Sequence, residues 1–147
     1  MHQKGKLTAI WLKRMRLGPM DARQSAKLVA NKGLAGNANQ SGKRQVTIID
    51  QAVFERLREE LSDKITPEMR RANLMVSGIT LANSRGKILQ IGECRIEIYG
   101  ETLPCRRMDE AYSGLRNALE PKWNGGAYGV VLNDGEISVG DSVRWIE

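Results

Sequence analysis

The sequence predicts a mostly β protein, a mainly antiparallel barrel carrying two helices, and three observations lead there. Short apolar or alternating runs recur along the 147 residues, each bounded by glycine, proline or asparagine turn signals. Only two stretches, one after Asp50 and one after Pro104, repeat apolar residues at helical spacing. Strands and helices do not alternate, as a parallel sheet with crossover helices would require. A chain of this length fits one domain, residues 1–147, and buries about two-thirds of its unfolded surface, enough to fold without a disulfide or structural metal.

The elements follow in order. Leu7-Thr8-Ala9-Ile10-Trp11-Leu12 has no polar face beyond Thr8 and reads as a strand buried on both sides. Lys13 to Leu17 alternates charged with apolar residues before Gly18-Pro19 turns the chain, so the domain should open with a strand pair. Residues 20–32 show no convincing stripe and read as a short helix or irregular segment. Gly33 to Arg44 is glycine-rich and polar, and reads as a flexible or ligand-contacting loop leading into a strand, Gln45-Val46-Thr47-Ile48-Ile49. A nucleotide phosphate loop is excluded there. Five residues rather than four separate Gly36 from Gly42, Arg44 stands where Ser or Thr would hold magnesium, and no helix follows.

Asp50 can cap a helix through residue 61, with Val53, Phe54, Leu57 and Leu61 as its apolar stripe and Ile49 stapled against Phe54. Beyond Thr66-Pro67, two arginines and an asparagine precede the apolar run Leu74 to Ile79. On extended chain Arg71 and Asn73 would point the same way, a pairing that suits a phosphate or a carboxamide-bearing heterocycle and equally an exposed strand entry. Ile88–Ile91 and Cys94–Tyr99 read as strands joined at Gly92-Glu93, the second breaking at Gly100. Met108, Ala111, Tyr112, Leu115, Ala118 and Leu119 then define one helical face that ends before Pro121. Tyr128–Leu132 and Ile137–Val139 flank Asn133-Asp134-Gly135 as a hairpin, and Gly140-Asp141 turns into a last strand, Ser142–Ile146.

Charge divides the chain unevenly. Residues 1–50 hold ten Lys/Arg and two acids, a balance of +8, whereas residues 51–147 hold thirteen and fifteen, a balance of −2. The basic half should attract an anion, or simply form a solvated surface. Its cations are scattered rather than striped, and the seven aromatics do not interleave with them, which argues against nucleic acid. A phosphorylated small molecule needs fewer charges. No apolar run approaches a membrane span and no signal-peptide core follows Met1, so a cytoplasmic protein is expected, without membrane association.

The two cysteines read differently. Cys94 shares a strand face with Ile96 and Ile98 and should belong to the core. Cys105 follows Pro104 at the start of a helix and is followed by Arg106 and Arg107. Cations and a helix N-terminus favour thiolate, which can act as nucleophile or metal ligand, although a loop cysteine also suits a small, half-buried hydrophobe.

Four stretches together resemble the MOSC domain, the C-terminal module of molybdenum cofactor sulfurases. They are Gly33-Leu34-Ala35-Gly36; Arg71-Ala72-Asn73-Leu74 through Ile79; the strand from Gly92 to Pro104-Cys105; and Gly125-Gly126 through Gly135 to Val143. The resemblance spans nearly the whole chain and implies an irregular MOSC-type β-barrel with two or three flanking helices. It implies binding of the molybdenum cofactor (molybdopterin), with Cys105 carrying sulfur as a persulfide or ligating molybdenum. Arg71 and Asn73 match an Arg-x-Asn that contacts the pterin and its phosphate, and Gly36, Asn37 and Arg106 join them as cofactor-binding candidates. Asn37 stands where the family usually has Asp, often followed by His, and the only histidine here is His2, so proton transfer by that loop is not expected. Pyridoxal phosphate is not expected on this chain alone, so a cysteine desulfurase or a molybdoenzyme is the partner implied. Two further classes remain: a molybdenum-dependent reductase of N-hydroxylated compounds, with Cys105 as a permanent ligand, and an anion- or nucleic-acid-binding module in which Cys105 is incidental.

Overall fold

The computed structural model describes residues 3–38 and 42–146. His2, and residues 39–41 of the expected loop, lie outside these. Eleven strands are present among the described residues: β1 (Lys4–Lys13), β2 (Met20–Arg23), β3 (Ser25–Val29), β4 (Gly33–Leu34), β5 (Val46–Asp50), β6 (Leu74–Ser77), β7 (Ile88–Ile91), β8 (Cys94–Glu101), β9 (Ala127–Val131), β10 (Gly135–Ser138) and β11 (Ser142–Ile146). Three α-helices accompany them: α1 (Gln51–Glu60), α2 (Arg106–Ala111) and α3 (Leu115–Leu119).

Seven strands close a ring in the order β11-β7-β8-β9-β5-β6-β1, with β1 returning to β11 and β2 added beyond β1. Every pairing in the ring is antiparallel except β5 with β6, which run parallel across the α1 connection. The barrel is thus mixed, though mainly antiparallel. Period-2 alternation fills it: Cys94, Ile96 and Ile98 of β8 are fully buried, as are Leu89 and Ile91 of β7 and Leu74 and Val76 of β6. Each such aliphatic side chain contributes about 1.5–3 kcal/mol.

The helices pack outside the ring on a second cluster. Val53, Phe54 and Leu57 of α1 meet Met108 of α2 and Leu115 and Leu119 of α3, with Trp11 and Ile49 beneath. Asp50 caps α1 as expected, accepting from the Ala52 backbone N–H at 3.0 Å.

Several expectations are corrected. Residues 20–32 hold β2 and β3 rather than a helix, because Leu28 has a core to enter and β3 finds β10 as an antiparallel partner. Lys13–Leu17 is mostly a turn, with Met15 and Leu17 exposed, and the strand that pairs with β1 begins only at Met20. The segment beginning at Gly33 opens as the short strand β4 against β3. Asn133-Asp134-Gly135 does not make a hairpin. β9 stays in the barrel while β10 leaves for a small separate sheet, β10-β3-β4, and the two side chains staple loops: Asn133 Oδ1 accepts from Arg95 N–H and Asp134 Oδ1 from Ala30 N–H.

Two corrections bear on Cys105. β8 does not break at Gly100 but continues to Glu101 past a bulge between Ile98 and Gly100, and the Tyr128 ring lies 3.1 Å from where a Cβ on residue 100 would stand. The helix read over 108–119 is two helices. Tyr112 is extended and Gly114 sits at φ 91°, so the backbone turns there, and Asp109 Oδ1 accepts the Arg116 N–H at 2.9 Å to satisfy the first turn of α3.

Candidate functional site

Beyond β8, Thr102 donates its backbone N–H to the Gly126 carbonyl at 2.8 Å and is the last residue held by the barrel in this segment. Leu103 is exposed, and Cys105 stands exposed at the N-cap of α2, making no side-chain capping bond. Met108, in the first turn of α2, is buried in the helical cluster and pins the far side of the segment. The thiol is therefore presented outward between two anchors.

Five arginines and one lysine from four parts of the chain act on one another, and Cys105 acts on one of them, Arg70: they are Lys13 at the end of β1 and Arg16 after it, Arg44 before β5, Arg70 and Arg71 before β6, and Arg107 of α2. Lys13 shows the grouping most directly. Burial first, and then the charges of Arg71, Arg44, Arg107 and Arg16, push its ammonium below the usual lysine range. Arg71 is likewise held down by burial and then by Arg107. Burial pushes Arg70 down to about 10, Arg44 adding to this and Cys105 opposing it. Among the described residues, no carboxylate contributes to the charges that shift Lys13, Arg70 or Arg71.

Arg71 and Asn73 do not stand side by side on extended chain. Arg71 closes a 3-10 turn, Pro67–Arg70, in the left-handed region at φ 60°, and its Nη2 donates to the Gly18 carbonyl at 2.6 Å. Asn73 is buried instead. Its Oδ1 accepts from the N–H and hydroxyl of Thr47, both at 3.2 Å, while its Nδ2 donates to the Trp11 carbonyl and to Asn37 Oδ1. Asn37 Oδ1 also accepts the Lys13 backbone N–H at 2.7 Å. The two amides thus tie β1, β5, β6 and the 36–38 turn together beneath the cationic side chains. Asn37 Oδ1 accepts from both Asn73 and Lys13 while its Nδ2 donates to the Ala38 carbonyl at 3.3 Å, so an uncharged amide serves there. Gly36, at φ 84°, makes the turn that delivers Asn37.

Arg106 pairs with Glu110 at 3.9 Å on the exposed side of α2, while Arg107 is the arginine whose charge reaches Lys13 and Arg71. A cavity of about 520 Å³ lies under the segment from Gly33 to Gln45, with Gly36 and Asn37 in its wall, and none of the clustered cations lines it. Sequence reasoning missed Lys13, Arg16, Arg44 and Arg70, and of the two arginines after Cys105 it chose Arg106 rather than Arg107 for the cofactor. The available signal was the basic excess of residues 1–50, which supplies Lys13, Arg16 and Arg44 to a thiol in the other half.

Burial and then the carboxylates of Glu93, Asp141 and Asp134 push the Cys94 thiol up, leaving it protonated inside the barrel. Among the described residues no three His, Cys, Asp or Glu side chains come together as a metal site, and no helix is long and apolar enough to cross a membrane.

A seven-stranded mixed barrel with an exposed cysteine at the foot of an outer helix defines a class, and comparison with known proteins identifies it. The MOSC domain model matches residues 18–144, and the chain belongs to that family, which is linked to molybdenum cofactor binding. The fold is similar to the YuaD protein from Bacillus subtilis, with TM-score 0.84 and 16% identity over 99% of this chain and 97% of that one. It is similar also to YiiM from Escherichia coli, with TM-score 0.73 and 15% identity over 97% of this chain and 70% of that one. YiiM from Geobacillus stearothermophilus gives TM-score 0.75 and 14% identity over 97% and 75% of the two chains. Among curated proteins, none matches by sequence.

Proposed function

We propose that this chain binds the phosphorylated pterin of the molybdenum cofactor at its cationic cluster and carries sulfur as a persulfide on Cys105. The observation that supports the reading is an exposed thiol whose charge acts on Arg70, itself one of a group of mutually repelling cations. Lys13, Arg44, Arg71 and Arg107 fit the anionic end of such a cofactor. With no metal cage among the described residues, molybdenum would have to arrive already chelated, and Cys105 is the ligand the chain could add. When bound, the cofactor supplies a metal centre able to accept sulfur.

The residues of the chain divide the remaining work. Arg71 is held by the Gly18 carbonyl and positions a phosphate, while Asn37 and Asn73 keep the Lys13 backbone in place beneath it. Cys105 attacks the terminal sulfur of a donor persulfide: a new S–S bond forms, the donor's S–S bond breaks, and the donor leaves as thiolate. A cysteine desulfurase is the donor chemistry this requires, and a molybdoenzyme or its cofactor the acceptor.

Incubation with a cysteine desulfurase and cysteine should add one sulfur atom to the wild type and none to Cys105→Ser, read by intact mass. Arg71→Ala should weaken binding of the isolated pterin cofactor about tenfold or more, and Lys4→Ala with Lys6→Ala far less. If the wild type gains no sulfur while bound molybdenum shields Cys105 from alkylation, the carrier reading yields to the reductase one.

A further inference from the structure

Exposed large apolar side chains are few among the described residues: Met15, Leu17, Leu61, Leu103 and Leu132. The three most exposed, Leu17 at 75%, Met15 at 67% and Leu103 at 63%, belong to just two segments, the turn after β1 and the stretch before α2. A chain of contacts brings these segments to one side of the barrel. Gly125 touches both Thr102, whose carbonyl abuts it so closely that no side chain fits there, and Arg70, whose Nε donates to its carbonyl at 2.9 Å. Leu103 follows Thr102. Arg71 follows Arg70, and its Nη2 donates to the carbonyl of Gly18, next to Leu17. Met20, just beyond, packs on the same helical cluster as Met108 of α2.

Single exposed leucines need no explanation, but three such side chains on one face, one of them two residues from the exposed Cys105, are the mark of a docking surface. Charge indicates the partner. Residues 13–19 and 103–107 hold Lys13, Arg14, Arg16, Arg106 and Arg107 and no acid. Asp21 pairs with Arg14 at 2.6 Å, Glu110 with Arg106 at 3.9 Å, and Asp109 accepts the Arg116 N–H. Among the described residues no acid pairs with Lys13, Arg16 or Arg107. A lipid surface would match apolar tips and cations too, but it would seal the thiol from every water-borne source of sulfur.

We propose that this patch docks the protein that loads Cys105, a sulfur donor whose persulfide lies on an apolar surface rimmed by Asp and Glu. The inference rests on the carrier reading and names the surface of its partner. Burial of Met15, Leu17 and Leu103 keeps water from the sulfurs during transfer, while the opposed charges steer the encounter and fix its orientation.

The test loads the full chain from cysteine desulfurase plus cysteine and, separately, from glutathione persulfide, reading sulfur added to Cys105. Glutathione persulfide gives up its terminal sulfur, leaves as the thiolate and is too small to need the patch. Two variants, Met15→Ser combined with Leu17→Ser, and Leu103→Ser alone, remove only exposed side chains, so their melting temperatures should match wild type. Their loading rate at limiting desulfurase should fall about tenfold, while loading from glutathione persulfide stays within about twofold of wild type. Arg16→Glu should slow the desulfurase by a similar factor. Leu132→Ser, beside Arg95 at the other end of β8, should slow neither donor. Desulfurase loading that the serine variants leave at the wild-type rate, or that Leu132→Ser slows equally, overturns this inference and leaves the carrier reading standing. Binding to phosphatidylglycerol vesicles that the same serine variants abolish assigns the patch to lipid and overturns it too. A wild type loaded by neither donor overturns the inference and the carrier reading together.

Discussion

Cys94 and Cys105 stand at opposite ends of β8 and its extension, and they differ in what holds each in place. Cys94 is enclosed by aliphatic side chains of the barrel, in register with Ile91 of β7. Cys105 lies past the bulge, where pairing has ended and polar groups replace apolar ones. The Cys94 end depends on area removed from water, which tolerates small shifts. The Cys105 end depends on hydrogen bonds and charge, which do not. One strand thereby yields an inert thiol and an available one.

The largest expected effect is on reactivity. In the native protein Cys105 should react with iodoacetamide about a thousandfold or more faster than Cys94, whose alkylation must wait for the barrel to open. Peptide mapping at limiting reagent measures it, and preferential labelling of Cys94 would break the comparison. Next comes the polar seat under the cations. Asn73→Ala strands the Thr47 N–H and the Trp11 carbonyl and should cost about 3 kcal/mol in urea unfolding, a loss below about 1 kcal/mol showing the network to be dispensable.

Smaller differences sharpen the contrast. Cys94→Ser places a hydroxyl among aliphatic side chains and should cost about 1–3 kcal/mol, while Cys105→Ser should stay within about 0.5 kcal/mol of wild type. The smallest effect is on pH dependence. The folded state raises the Cys94 pKa, so the unfolded chain loses that proton first as pH climbs past about 8.5. Wild-type stability should therefore fall relative to Cys94→Ala above that pH, by at most about 1.4 kcal/mol per pH unit, and parallel curves would contradict the assignment.

These contrasts also mark how far the sequence could be read. The alternation of Cys94, Ile96 and Ile98 announces its own buried face, and the Asp50 cap with Val53, Phe54 and Leu57 announces α1, because both signals are local. The apolar spacing from Met108 to Leu119 is equally regular, yet it runs unbroken across Ser113-Gly114 and hides the turn that separates α2 from α3. β3 is short and half polar, and its partner β10 comes from far along the chain, so neither declares the second sheet. Cys105 and the pair Arg71 and Asn73 were visible as residues. Their arrangement was not, since it rests on the left-handed backbone at Arg71 and on cations arriving from before β5.

β1 is shared by three neighbours, and its pairing of Lys4–Lys6 with Ser142–Arg144 closes the ring. Among the described residues no other strand contact spans so much of the sequence, and such contacts form late because the intervening chain must be ordered first. On the ribosome, at roughly 5–20 residues per second, the first strand emerges several seconds to about half a minute before its last partner exists. For that interval its free edge is a template for a neighbouring nascent chain. Lys4 and Lys6 lie on that edge, and their mutual repulsion of a second copy acts as a guard until the final strand arrives.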